Sequence, residues 1–158
     1  MKKRLGRLEQ QLFAFVQLRK LLTLRTGDLS GPLQITTKQE SELLSRLSRA
    51  GMIAQVRRGL YLVPERLPLG GRWSPDEGLA LNTLFDAQKG RYQICGPNAF
   101  NRYGFDEQVP TRVYVYNNRE WGDRRIGSVA LTLIKVADER LGDIETMETA
   151  EGSKTIYS

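Results

Sequence analysis

The chain has 158 residues, of which 40% are hydrophobic, and its formal net charge is +6. No apolar run approaches the ~18 residues of a membrane-spanning helix, and no unbroken apolar segment follows the basic N-terminus as it would in a signal peptide. One cysteine excludes an internal disulfide and a cysteine-cluster metal site. The absence of histidine excludes a Ser-His-Asp triad and a Cys-His pair. These features predict a cytoplasmic protein of one or two small domains.

The positive charge is confined to the first half of the sequence. Residues 1–72 hold 14 lysines and arginines against 5 acids, a net charge of +9, whereas residues 73–158 hold 10 against 13, a net charge of −3. An excess confined to one module indicates a polyanionic partner. Nucleic acid is favoured over a membrane, because the N-terminal helix lacks a continuous basic face with aromatics. The alternative is a basic surface that only aids solubility.

The first module begins with a predicted amphipathic helix over residues 5–22, whose apolar residues recur at helical spacing. A short second helix is predicted from Thr26, a candidate N-cap, with Asp28 in its first turn. The triplet Ser30-Gly31-Pro32 is expected to break it. This pattern predicts two helices that support the rest of the first module.

A third helix is predicted from Thr37, because Thr37 and Glu40 match the capping box S/T-x-x-E. Glu40 is therefore interpreted as a cap rather than a catalytic acid. An apolar stripe of leucines comes next at helical spacing, and the opposite face carries serines and long cations. Gly51 fits the left-handed position that ends a helix.

A hairpin comes after this helix. Strands are predicted at residues 52–56 and 60–63, joined by Arg57-Arg58-Gly59 and ended by Pro64. A basic-faced helix followed by a hairpin with arginines at its tip predicts a winged helix-turn-helix. The helix would lie in the DNA groove and the hairpin, the wing, would reach the backbone.

The predicted roles depend on side-chain chemistry. Arg46 and the two serines of the exposed helix face would contact base edges, and the other cations would contact phosphates. The tyrosine would support the wing, or equally pack in the hairpin core. An ordinary solvated helix face is the alternative for the helical residues. The predicted DNA-binding residues are Lys38, Ser41, Ser45, Arg46, Arg49, Arg57, Arg58 and Tyr61.

The predicted domains are residues 1–66, a linker at 67–74 and a second module at 75–158. A helix is predicted from the N-cap Ser74, with Pro75 at its first position, to about Gln88. Strands are predicted at 91–95, 109–116, 126–136, 143–149 and 154–157, with a short helix at 98–103. The module is therefore predicted to be α+β with a mainly antiparallel sheet. Since the chain ends in a strand with no closing helix, either a short gene product or a fragment of a longer one is expected.

Two motifs resemble a known family. RGLYLVP spans residues 58–64, and YQICGPNAFNRYGFDEQVP spans residues 92–110. In this order they are similar to motifs of the AbiEi-like antitoxins of type IV toxin–antitoxin systems, across nearly the whole chain. The first motif is common among winged helices, and the second is more specific. Members of the family usually continue into further helices beyond the point where this sequence ends.

The resemblance implies a winged-helix repressor that binds inverted repeats in its own promoter. It also implies an antitoxin that counters a nucleotidyltransferase-like toxin without forming a stable complex with it. Because one winged helix buries a limited area on DNA, a monomer or weak dimer that binds repeats cooperatively is expected. No cofactor, metal or enzymatic activity is predicted.

Two alternatives assign the function to the second module. In a nuclease-like enzyme, the carboxylates of Asp143 and Glu145 would bind a divalent metal, with Lys154 completing an acid, acid, lysine arrangement. In the other alternative, the module is a protein-interaction domain that uses polar residues of the second motif, namely Asn98, Asn101, Arg102 and the loop 104–110. Cys95, beside an isoleucine in a predicted strand, is interpreted as a buried small apolar residue.

Overall fold

The structure, a computed structural model, describes residues 6–66, 72–95, 112–141, 145–148 and 154–157. For Cys95 and the last two segments only the backbone is described. The chain divides into two compact units, Met1–Pro75 and Asp76–Ser158. No helix among the described residues is long and apolar enough to cross a membrane.

The first unit contains two helices and a small sheet. Helix α1 spans Arg7–Arg19, strand β1 spans Thr23–Arg25, and helix α2 spans Thr37–Arg49. Strands β2, Ala54–Arg57, and β3, Leu60–Leu62, form a hairpin. Strand β1 pairs antiparallel with β3, so the sheet order is β1-β3-β2.

One apolar cluster holds the first unit together. Leu12, Phe13 and Val16 of α1 face Leu43, Leu44 and Leu47 of α2, and all six are at most 2% exposed. In both helices the buried residues recur three and four apart, as one face of a helix requires. Further members of the cluster come from the segments between and after the helices: Leu24, Leu29, Met52, Ile53 and Val63.

The predicted second helix is wrong. Residues 26–34 form consecutive turns, of which one is helical, closed by a hydrogen bond from the Leu33 amide to the Leu29 carbonyl at 2.9 Å. The triplet Ser30-Gly31-Pro32 lies inside that turn instead of breaking it. Gln34 ends the turn in the left-handed conformation, with φ of 53°. The segment is too short to close more than one such hydrogen bond before this reversal.

Both predicted helix starts are displaced. The N-cap of α2 is Thr36, whose Oγ1 accepts from the Gln39 amide at 3.1 Å, while Gln39 Oε1 accepts from the Thr36 amide at 2.9 Å. The capping box therefore lies one residue before the predicted one. The N-cap of the third helix is Asp76, whose carboxylate accepts from the Leu79 amide at 2.7 Å, in place of Ser74. At both observed N-caps a side-chain oxygen accepts a hydrogen bond from a free amide in the first turn, as the predicted N-cap would have done.

The described residues of the second unit form helix α3, Glu77–Gln88, and six strands. The strands are β4, Tyr92–Cys95; β5, Arg112–Asn117; β6, Gly122–Ile126; β7, Val129–Lys135; β8, Glu145–Glu148; and β9, Lys154–Tyr157. A 3-10 turn at Asp138–Arg140 follows β7. The sheet order is β6-β7-β5-β4-β9-β8, in which β5–β7 and β4–β9 are parallel and the other pairs are antiparallel.

The fold class is therefore α+β with a mainly antiparallel sheet, as predicted. The strand predicted at 126–136 is present as β7, but it starts later than predicted, because the β6–β7 hairpin turns at Gly127 and Ser128. The hairpin predicted at 143–149 and 154–157 is present as β8 and β9. The predicted helix at 98–103, and most of the predicted linker, lie outside the described residues.

Candidate nucleic-acid interface

Helix α2 presents a polar face away from the apolar cluster. At about 100° of rotation per residue, Lys38, Ser45 and Arg49 lie opposite the buried leucines. Ser41 lies at one edge of this face and Arg46 at the other. All five are exposed. We call these five residues the basic face of α2.

A shallow cleft of about 390 Å³ runs along this face. It is lined by Ser41, Glu42, Ser45, Arg46 and Arg49, so it brings together four of the predicted DNA-binding residues. The fifth lining residue, Glu42, is acidic and would oppose a phosphate. The serines leave room between the longer cations, as close approach to a base edge or phosphate requires.

Arg46 is held at the edge of the basic face by α1. Its Nε lies 2.9 Å from Oε1 of Glu9, and the Arg46 side chain is 49% exposed against 16% for Glu9. The other oxygen of Glu9 accepts from the Gly6 amide at 2.8 Å. This ion pair partly neutralises the residue that was predicted to contact base edges.

The hairpin turn carries two exposed arginines. Arg57 is the last residue of β2, and Arg58 and Gly59 form the turn. Gly59 has φ of +80°, which confirms the predicted glycine conformation. We call residues 57–59 the arginine turn. Its carbonyl at Gly59 accepts from the Thr26 amide at 3.0 Å, so the turn is fixed to the segment that follows β1.

Arg25 lies near the arginine turn, and it is not among the site residues predicted from the sequence. In the register of the sheet, Leu60 lies opposite Arg25 on one side and Arg57 on the other. Two strand spacings separate the backbones of the two arginines by about 10 Å, and the pairing of β2 with β3 shifts register between Gln55 and Arg57. Only the strand register places them together, and no local sequence pattern encodes it.

Tyr61 contributes to the core more than to the surface. It is half-buried in β3 and packs against the apolar cluster of the unit. Burial raises the pKa of its hydroxyl, because the phenolate would be poorly solvated there. Of the two roles open at the sequence level, this position favours packing in the hairpin core.

Glu40 has a different role from the predicted capping box. It is 0% exposed, and its carboxylate accepts four hydrogen bonds from the segment between β1 and α2. The donors are the amides of Gly27, Leu29 and Ser30, at 2.6, 2.8 and 3.0 Å, and the Ser30 hydroxyl at 3.3 Å. Only a carboxylate has enough acceptor positions for all four. The prediction that Glu40 completes the capping box of α2 is wrong: Gln39 has that role, and the Glu40 carboxylate binds a segment 10 to 13 residues away.

The remaining cations of the site are not neutralised. Among the residues that the structure describes, no ion pair is made by Lys38, Arg49, Arg57 or Arg58. All four are exposed. The arrangement is therefore able to bind a polyanion at the basic face of α2 and at the arginine turn.

The residues of the two alternative functions, the metal site and the protein-interaction surface, are only partly described. Asp143, Asn98, Asn101 and Arg102 lie outside the described residues, as do the side chains of Cys95, Glu145 and Lys154. In the backbone register, Glu145 pairs with Tyr157 and Lys154 with Glu148, so the two lie at opposite ends of the hairpin. Within the described part of the chain there is no group of three acids or cysteines that could hold a metal ion.

Comparison with known proteins identifies a similar fold. No protein-family model matches the chain, and no curated protein sequence does. The crystal structure of the RV2827C protein from Mycobacterium tuberculosis is similar, with a TM-score of 0.52 at 15% sequence identity over 86% of this chain. The chain spans about half of that protein, 48% of its length. At this identity the likeness concerns the fold alone.

Proposed function

We propose that the first unit binds double-stranded DNA as a winged helix-turn-helix. The observation that carries the proposal is a set of exposed cations, on the basic face of α2 and in the arginine turn, that form no ion pair with any residue the structure describes. Lys38, Arg49, Arg57 and Arg58 bind phosphates, and Ser41 and Ser45 lie against base edges. Arg46 joins them when it leaves Glu9. Tyr61 packs beneath this surface.

The order of elements supports this assignment. A winged helix has a helix, a short strand, a helical turn, the recognition helix and a hairpin whose second strand pairs with the first strand. Helix α1, strand β1, the turn at residues 29–33, helix α2 and the β2–β3 hairpin follow one another in that order. The sheet order β1-β3-β2 fits the same arrangement. The recognition helix of such a motif lies in the major groove.

The biological role that we propose is based on the sequence resemblance to AbiEi-like antitoxins. The protein would repress its own operon from inverted repeats, as a monomer or weak dimer that binds cooperatively. It would counter a nucleotidyltransferase-like toxin encoded beside it, without a stable complex. This is a non-catalytic role in which the second unit supplies the function against the toxin.

The test is a binding titration with the region upstream of the protein's own gene, beside a scrambled duplex of equal length. We expect tighter binding to the upstream duplex, protection of a repeat in a footprint, and weaker expression of a reporter placed behind that region. Equal binding to both duplexes, and only at low salt, would contradict the proposed repressor function. Metal-dependent cleavage of the duplex would favour the nuclease alternative.

A further inference from the structure

The segment between β1 and α2 connects the two parts of the proposed interface. Three of its amides bind the Glu40 carboxylate, which belongs to the first turn of α2. The residue immediately before them, Thr26, donates its amide to the carbonyl of Gly59 in the arginine turn. A Cβ at Gly59 would lie 3.4 Å from Thr26 Oγ1, so the turn also packs closely on this residue. The connection runs from α2 through Glu40 and the segment to the turn.

This connection depends on the charge of one buried side chain. Glu40 is 0% exposed, and among the described residues no cation pairs with it. A buried carboxylate is tolerated only when hydrogen bonds replace its hydration. Bonds from amides to an ionised oxygen are about twice as strong as bonds between neutral groups. The carboxylate thus holds residues 27–30 in one conformation relative to α2.

We infer that Glu40 is a positioning residue, which fixes the arginine turn at one distance and angle from the basic face of α2. This inference rests on the proposed function. Glu40 itself touches no DNA. By fixing this spacing, it determines whether Arg57 and Arg58 can contact phosphates while α2 occupies the groove of the same duplex. Without it, each part still binds a polyanion, but the two no longer act together on one site.

The test compares two variants by whether each binds DNA more tightly or more weakly than the wild type. Glu40→Gln keeps the shape of the side chain, but its amide group faces backbone donors and leaves at least one of them without an acceptor. Glu42→Gln is the matched control, because it removes the same charge from the neighbouring turn of α2 on the exposed side. Electrostatics alone predicts tighter DNA binding for both variants. The inferred role predicts weaker binding for Glu40→Gln and tighter binding for Glu42→Gln.

The expected result has two parts, measured on the full chain with the upstream duplex at several salt concentrations. Glu40→Gln makes the slope of log K against log salt shallower by about one to two, the same loss as in Arg57→Ala/Arg58→Ala. Added to that double variant, Glu40→Gln has little further effect, since the contacts it positions are already absent. Full additivity, or tighter binding by Glu40→Gln, would overturn the inference. Circular dichroism confirms that each protein is folded.

A milder variant covers the case in which Glu40→Gln does not fold. Asp28 is exposed and accepts from the Arg25 amide at 2.8 Å in the same segment. Asp28→Ala also removes an acid near the arginines, so electrostatics predicts tighter binding and the inferred role predicts weaker binding. Tighter binding by Asp28→Ala overturns the inference. If the wild type does not bind the duplex, the proposed function fails. If the wild type binds, and both Glu40→Gln and Asp28→Ala bind as tightly as the wild type, only the inference fails.

Discussion

Among the described residues, three arginines of the second unit form ion pairs with acids, whereas most cations of the first unit's candidate site form none. Three of the four ion pairs among the described residues lie in the second unit, with N–O distances of 3.0, 3.5 and 2.8 Å: Arg91–Asp138, Arg112–Asp123 and Arg124–Glu120. The pair in the first unit is Arg46–Glu9. A paired guanidinium attracts phosphate less, because its acid repels the same phosphate. If the proposed function holds, pairing as well as the number of cations should decide which surface attracts DNA.

Each unit has a loop whose backbone amides bind a buried side chain, and this side chain is charged in one unit and neutral in the other. In the first unit the charged Glu40 binds the amides of residues 27, 29 and 30. In the second unit the neutral Asn117, also 0% exposed, accepts from the amides of Arg119 and Glu120 at 2.8 and 2.7 Å. The charged group occupies the unit that carries the candidate interface. An ionised acceptor gives the stronger hold where two parts of one surface must stay in register.

Matched core substitutions give the largest expected effect. Leu47 on α2 and Leu84 on α3 are 1% and 0% exposed. Leu47→Ala and Leu84→Ala should each lower the free energy of unfolding by about 2–5 kcal/mol, through lost burial and a cavity. Only Leu47→Ala should abolish DNA binding as the temperature rises. Loss of binding by Leu84→Ala, at a temperature where α1 and α2 remain folded, would contradict the assignment of binding to the first unit.

Removal of the Asn117 side chain should cost less. Asn117→Ala leaves two amides without their acceptor, and a buried unsatisfied donor costs about 1–3 kcal/mol. Urea unfolding should reveal this loss, while the salt dependence of DNA binding by the folded protein should stay as in the wild type. A changed salt slope would mean that the Asn117 loop belongs to the DNA interface.

The ion pair of Arg46 provides a way to convert a paired arginine into a free one. Glu9→Gln should release Arg46, tighten duplex binding a few-fold and steepen the salt slope by up to about one contact. Asp123→Asn changes the charge equally but removes the acid paired with Arg112 in the second unit, and it should leave the slope unchanged. If the two variants strengthened binding equally, total charge rather than position would govern the affinity.

Tyr61 gives the smallest expected effect, visible only at high pH. Burial raises its pKa in the folded protein above the unfolded value of about 10. The folded state therefore holds the proton more tightly, and this contribution to stability is full below about pH 10 and is lost as pH rises through the folded pKa. Tyr61→Phe should reduce the fall in unfolding free energy as the pH rises above about 10. An unchanged fall would show that other groups cause it.

Local patterns predicted much of the first unit. The spacing of Leu43, Leu44 and Leu47 indicated α2, and the left-handed conformations of Gly51 and Gly59 are present at the predicted ends of α2 and of β2. These features depend on residues within one or two turns of each other, so a single sequence contains them. Of the apolar residues in the first predicted helix, Leu12, Phe13 and Val16 lie in the core, whereas Leu18 is 81% exposed.

The remaining features depend on distant partners. Glu40 is not part of the capping box, because Thr36 and Gln39 cap α2. Its carboxylate instead accepts from amides 10 to 13 residues away. The pairing of Arg46 with Glu9 spans 37 residues. Strand β6 escaped prediction because Gly122–Ile126 is a polar edge strand with no alternation of apolar residues. In each case tertiary contact overrides the local pattern.

The most direct test compares two charge-matched double variants on the upstream duplex at several salt concentrations. Arg57→Ala/Arg58→Ala removes two arginines without ion pairs, and Arg91→Ala/Arg112→Ala removes two that are paired with acids. We expect only the first double variant to make the salt slope shallower, by up to about two. Equal losses of slope and affinity in both variants would contradict the proposed interface, because DNA would then respond to total charge and not to the arginine turn.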